Sequence, residues 1–191
     1  GLIREEEIRF LCRNEVEVLG DPIGELSFLI AGEAEVFAVT MGTETTLSHE
    51  LVPGPGRRRK LMVRLPEPMS GRLRPIRIEG VAARRPGAVA NAPQVDLAGG
   101  VFQGANHTYT IPGPLQMRSL RPVDYRQISA PLVTPAGEQW SFRQEKTSAR
   151  LVLDVRRPTV AVSVQSLTHV AATGDLWTLS SQLRWNSPNG N

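Results

Sequence analysis

One cysteine, Cys12, stands alone in 191 residues, so no intramolecular disulfide staples the chain and the fold must rest on its core. Lysine is nearly absent, with Lys60 and Lys146 alone against an arginine-rich remainder. Aromatic residues make up 5%, and the charge excess is small, with 22 basic residues against 19 acidic. A nucleic-acid binder concentrates its positive charge on one element and interleaves aromatics for stacking; here both are sparse and dispersed, which speaks against that class. No apolar run reaches the length of a membrane-spanning helix, and no basic-then-apolar leader opens the chain, so a mature, soluble segment without a membrane span is expected. No window combines helical caps with apolar positions at i, i+3, i+4 and i+7.

What is present is a period of two. In LWTLSSQLRW (residues 176–185), Trp177, Leu179, Ser181, Leu183 and Trp185 fall on one face, and Thr178, Ser180, Gln182 and Arg184 on the other. The following Asn-Ser-Pro-Asn-Gly is turn chemistry with no returning strand after it. Together with the missing initiator Met, it gives the expectation of a piece of a longer chain. Further strands are expected over residues 8–18 (broken near Asn14), 26–41 (divided at Gly32), 60–65, 73–81, 150–155 and 159–164. Each is rich in β-branched residues or Leu and ends near Gly, Pro or Asn. Pro75 places the 73–81 strand at a sheet edge. Arg4 to Leu11 is charged enough to open on a short helical turn. Fifteen Pro and 17 Gly suit many short strands joined by turns. The expected fold is all-β: an antiparallel β-sandwich, Ig-like or jelly-roll-like, or two small sandwiches. In the two-domain reading, residues 1–83 and 101–191 flank an Ala/Gly/Pro-rich linker at 84–100; the alternative is one domain over 1–191. The five prolines between residues 107 and 135 point to an edge strand or surface excursion there.

Candidate chemistry is thin. His49-Glu50-Leu51-Val52-Pro53 starts like a zinc-protease motif, but Pro53 occupies the second ligand position and the context is strand and loop. No metal site or cofactor is expected. Glu33, Glu35, Glu67, Asp96, Glu138, Asp154 and Asp175 are the carboxylates that could form an acid–base pair, yet sequence gives no separation between them. Cys12 shares a face with Ile8 and Phe10, the pattern of a small buried residue. No nucleophile elbow or phosphate loop is present. The candidate binding residues are the basic run Arg57, Arg58 and Arg59, suited to an anionic partner or to a charged edge strand, and the tryptophans Trp140 and Trp185. Trp177, with Leu179 and Leu183, is expected in the core.

GELSFLIAG, VRLPEP with the following SGRLRPIRIEG, GEQWSFRQ and SARLVLDVRRP resemble segments of large repetitive β-rich exported proteins of planctomycete-type bacteria. The resemblance touches about half of the chain and implies a structural or adhesive module outside the cytoplasm, partnered by neighbouring domains of the parent chain or by other proteins. It implies no catalytic residues. The expected function is therefore a non-enzymatic structural or interaction module of a larger exported protein, with a glycan-binding module second and a carbohydrate-active enzyme third.

Overall fold

The computed structural model describes residues 1–31, 33–158 and 163–186, with the side chains of Ala31, Ser163, Trp185 and Asn186 left aside. The chain divides into two units, Gly1–Arg157 and Pro158–Asn191. Among the described residues every regular element is a strand, as expected. In the larger unit these are β1 (Leu2–Ile3), β2 (Glu7–Asn14), β3 (Glu17–Ala31), β4 (Ala34–Met41), β5 (Thr45–Thr46), β6 (His49–Pro53), β7 (Arg58–Arg72), β8 (Ile76–Ala83), β9 (Ala90–Asn91), β10 (Val95–Leu97), β11 (Ala105–Ile111), β12 (Gln116–Val123), β13 (Tyr125–Gln127), β14 (Leu132–Thr134), β15 (Gly137–Gln144) and β16 (Arg150–Arg156). The smaller unit holds β17 (Ser163–Thr173) and β18 (Leu176–Asn186).

One long sheet runs β13-β15-β11-β1-β2-β8-β4-β5, with β14 also on β15. Two shorter sheets, β10-β3-β7-β6 and β12-β16-β9, complete the larger unit. All pairings are antiparallel except β1 with β11. Period-two alternation then builds two cores. In the first, Phe10, Val39, Met41, Ile76 and Ile78 of the long sheet meet Leu26, Phe28, Ile30, Leu61, Val63 and Leu65 of β3 and β7. In the second, Ile3, Ile8, Tyr109, Ile111 and Phe142 meet Leu151, Leu153 and Val155 of β16. These are two antiparallel sandwiches that share one sheet.

The alternation expected over 60–65 and 150–155 places the named residues in these cores, and Cys12 packs half-buried against the first. The stretch from 34 to 41 breaks the alternation for a visible reason. Phe37 is an extra residue between the pairs Val36–Gly80 and Ala38–Glu79. This bulge moves the inward parity from Ala34 and Val36 to Val39 and Met41, and leaves Phe37 60% exposed.

Two expectations are corrected, and one strand gains a partner that sequence reading had not assigned. The 73–81 strand is not an edge: β8 pairs with both β2 and β4, because Pro75 stands just before it and owes the ladder no N–H. Arg4–Glu6 forms no helical turn; Arg4 N–H donates to the Glu7 carbonyl at 2.8 Å, closing a β1–β2 hairpin. The strand at 176–186 has its partner before it: β17 pairs with β18 from Thr173–Leu176 to Ser163–Asn186, around the two-residue turn Gly174-Asp175. Gly174 takes φ +62°, the left-handed conformation such a turn needs. Pro122 does lie in an edge strand, β12, while His107 lies in β11, which is flanked on both sides. Most of the strand expected at 159–164 lies outside the described residues, as does the turn after Asn186.

Gly80 of β8 lies hard against its neighbours: a Cβ there would sit 2.4 Å from the Glu35 carbonyl oxygen and 2.4 Å from Phe10 Cζ. The ring can shift, but the bulged backbone cannot do so without breaking its ladder. Gly80→Ala is expected to lower stability by on the order of 1–3 kcal/mol in denaturant titration, the usual cost of overpacking.

Candidate functional site

Three polar features of the larger unit bear on chemistry, and each grows from strand alternation. His107 of β11 and Gln144 of β15 point to the core side of the long sheet, near its end, where Tyr125 of β13 joins them. The segment between β9 and β11 brings Gln94 and Asp96 against them. Gln144, buried at 2% exposure, uses its full hydrogen-bonding capacity. Its carbonyl accepts from His107 Nε2 at 2.9 Å and from the Tyr125 hydroxyl at 3.4 Å. Its amide donates to Asp96 Oδ1 at 3.4 Å and to the Lys146 carbonyl at 2.8 Å. Gln94 Nε2 donates to the Tyr125 oxygen at 3.1 Å and to the Ala149 carbonyl. Arg58 of β7 reaches Asp96 at 3.6 Å.

Burial governs the acid–base state of this cluster. It pushes the Asp96 carboxyl up, against the Gln144 hydrogen bond and the Arg58 charge that favour the carboxylate. It holds His107 below the ordinary imidazole value, partly offset by Gln144, and raises the Tyr125 phenol to about 12. Gln144 is saturated by protein partners, so it has no donor or acceptor left to offer a substrate. The network is a buried polar joint.

The second feature is a cleft of about 550 Å³ lined by Arg4, Glu5, Glu6, Glu7, Glu33, Glu35, Val81 and Ala83. Glu33 and Glu35 are both exposed, and Glu5–Glu7, which sequence reading passed over, join them in the cleft. Glu7 pairs with Arg9 at 2.7 Å and Arg4 at 3.3 Å, and Glu5 with Arg157 at 2.9 Å. Asp154 is elsewhere, on β16, where the Arg156 hydrogen bond at 2.7 Å holds its carboxyl below the usual range.

The basic run is the third. Arg57, Arg58 and Arg59 lie at the β6–β7 turn beside a shallow cleft of about 420 Å³ with Leu51, Pro53, Gly54 and Gly56. They do not converge. Arg58 turns towards Asp96, whereas Arg59, on the same side as the buried Leu61 and Val63, donates to the Ala34 carbonyl at 3.2 Å. Arg57 is exposed at the turn.

Trp140 is half-buried, stacked on Phe142 with ring centroids 6.5 Å apart and planes 9° from parallel, and it packs against the second core. Its indole N–H is buried without a partner. The side chain of Trp185 lies outside the description. Trp177 overturns its expectation: it is 75% exposed, with Leu179 at 70% and Leu183 at 57%. His49 sits on β6 in the four-stranded sheet, its Nδ1 3.3 Å from the Leu47 carbonyl, and no helix follows it. His169 belongs to the smaller unit, on β17. Among the described residues no group of three or more His, Cys, Asp or Glu side chains could hold a metal ion.

The depressed His107 value sets a pH response. Below the ordinary imidazole pKa of 6.5, the unfolded chain takes up a proton that the folded chain resists, so stability falls as pH drops through and below that value. Asp96, whose folded pKa is raised, pulls the other way, with protonation favouring the fold as pH falls. Comparing wild type with His107→Gln in urea titrations between pH 7.5 and 5 isolates the imidazole, taken on the order of one pH unit either side of its reference value. The variant is expected to lose less stability on acidification; equal losses would show that His107 carries no burial penalty. No family model matches this chain, and no curated protein matches it in sequence.

Proposed function

We propose that this chain is a non-enzymatic structural and interaction module of a larger exported protein, and that the β17–β18 ribbon is the part that engages a neighbour. The observation that carries this reading is the uncovered face of the ribbon. Trp177, Leu179, Leu183, Val170 and Val164 are 75%, 70%, 57%, 54% and 47% exposed. The register pairs Ala172 with Trp177, Val170 with Leu179 and Ser166 with Leu183, so these residues lie on one side. An isolated pair of strands is marginal in water and gains stability when an apolar face is packed. A contiguous exposed apolar face of this kind is the usual mark of an interaction surface.

The polar features of the larger unit support the same reading. The most deeply buried polar groups, Gln144, Asp96 and Gln94, are bound to one another or to backbone carbonyls. Arg58 and Arg59 are engaged within the fold. Such a unit is suited to holding a shape.

The test uses Trp177 as the sole tryptophan, in a Trp140→Phe, Trp185→Phe background. In the 191-residue chain, diluted until it is monomeric, its emission is expected to be that of a hydrated indole, readily quenched by iodide. In the intact parent polypeptide the emission is expected to shift to the blue and quenching to fall several-fold. A Trp177 that stays equally quenchable in the parent would sink the proposal. A saturable response to a soluble polysaccharide would move the reading to glycan binding, and release of reducing ends from one would make it an enzyme.

A further inference from the structure

The β18 row of the ribbon's uncovered face has a symmetry of its own. Outward from Ser181, β18 reads the same in both directions: Leu179 and Leu183, then Trp177 and Trp185. Opposite Ser181 stands Thr168, their hydroxyl oxygens 3.1 Å apart, so a small polar centre sits between two apolar ends. The described residues of this face include no ionisable side chain: Gln165, His169, Gln182 and Arg184 alternate to the other side with Leu167 and Thr178. A twofold (isologous) interface requires a patch complementary to itself; the β18 row, which repeats when reversed, sets like residues over one another under such an axis, while in the β17 row Val170 falls over Ser166 and Ala172 over Val164.

We infer that the partner on this face is a second copy of the chain: two β17–β18 ribbons pack face to face about a twofold axis through the Thr168–Ser181 centre. In that arrangement Leu179 of one copy lies over the Leu183 layer of the other, and the polar centres face each other, where their hydroxyls can hydrogen-bond across the axis. No charge is buried, so no desolvation penalty of the kind that opposes buried ions arises. The area suits a weak association. Each strand is 11 residues long, and stacking two such ribbons withdraws on the order of 1,000 Å² from water, below the range of stable specific interfaces and within that of weak, transient ones. An interface of this size fits a reversible dimer. The inference rests on the interaction reading above and names its occupant.

Sedimentation velocity and methyl NMR across a dilution series test it on the full chain. The wild type is expected to be a concentration-dependent dimer. Leu179→Arg, on the apolar face, is expected to weaken it by at least about tenfold, as loss of a central anchor does. Thr178→Arg, on the opposite face, is expected to leave it unchanged. The methyl signals of Val170, Leu179 and Leu183 are expected to move with dilution while those of Leu167, across the ribbon, stay fixed. This second readout holds even where the arginine variant fails to form its ribbon. A wild type that stays monomeric up to about 1 mM, equal loss in both arginine variants, or Leu167 moving in place of Leu179 overturns the dimer. A monomer whose Trp177 is nonetheless shielded in the parent polypeptide overturns the second copy alone, and leaves the interaction module standing with a different neighbour.

Discussion

The larger unit depends on two residues. Among the described residues, Leu2 and Ile3 form the strand that joins two blocks of the long sheet, β11-β15 with β13 and β14 on one side and β2-β8-β4-β5 on the other. Leu2 pairs in parallel with Thr110 and antiparallel with Arg9, and Thr110 N–H donates to the Gly1 carbonyl at 2.8 Å. Ile3 is wholly buried in the second core. The strand that follows then crosses from one core to the other: Ile8 belongs to the second and Phe10, two residues on and on the same face, to the first. Both sandwiches are therefore folded onto a common strand. A polar side chain at Ile3 would remove an anchor of roughly 1.5–3 kcal/mol of burial, and with it the alignment of the blocks.

A second set of ties crosses the same seam. Arg84 is buried, and it is held by backbone carbonyls. Its Nη1 donates to Arg4 at 2.8 Å and its Nη2 to Val155, while its own N–H donates to Glu6 at 2.7 Å. A guanidinium bonded to neutral carbonyls keeps its charge, although burial draws its pKa down. The Gln144 network does the same work at the other end, linking β7 through Arg58 and Asp96 to β11, β13 and β15. Buried polar groups of this kind cost stability wherever a partner is missing, so each favours the one arrangement in which all are paired.

Residues 84–100 owe their place to the same long-range ties. Their Ala, Gly and Pro content looks like a linker, yet they lie inside the larger unit and carry Arg84, Gln94 and Asp96, all buried. The partners that bury them, Val155, Ala149 and Gln144, stand tens of residues away, beyond the reach of any local pattern. The division of the chain falls instead between Arg157 and Pro158. Strand existence and facing were legible, because a period of two survives in any context: Leu61, Val63, Leu151 and Leu153 point inward as their spacing requires. What a face meets is not legible from the same pattern. Leu153 and Leu179 sit in equally regular alternation, yet one is 1% exposed and the other 70%. Glu5, Glu6 and Glu7 joined Glu33 and Glu35 only once the β1–β2 turn had been placed beside β4, a neighbourhood that spacing does not encode.

The two units differ in what their apolar faces meet. In the larger one, apolar faces are opposed by other sheets. In the ribbon, the two strands pair without a register shift while the side chains of its apolar face meet solvent. Fixing each residue of such a ribbon costs about 1–2 kcal/mol of backbone entropy, and the compensation that burial supplies elsewhere in the chain is missing on that face. Any surface that covers Trp177, Leu179 and Leu183 therefore adds its burial energy directly to the ribbon's stability. Binding and ribbon order are consequently linked, and each must strengthen the other by the same free energy. Under the reading proposed above, a larger unit with closed cores and a ribbon with an open apolar face divide the labour of a connecting module: one part keeps its shape alone, and the other gains its stability from what it joins.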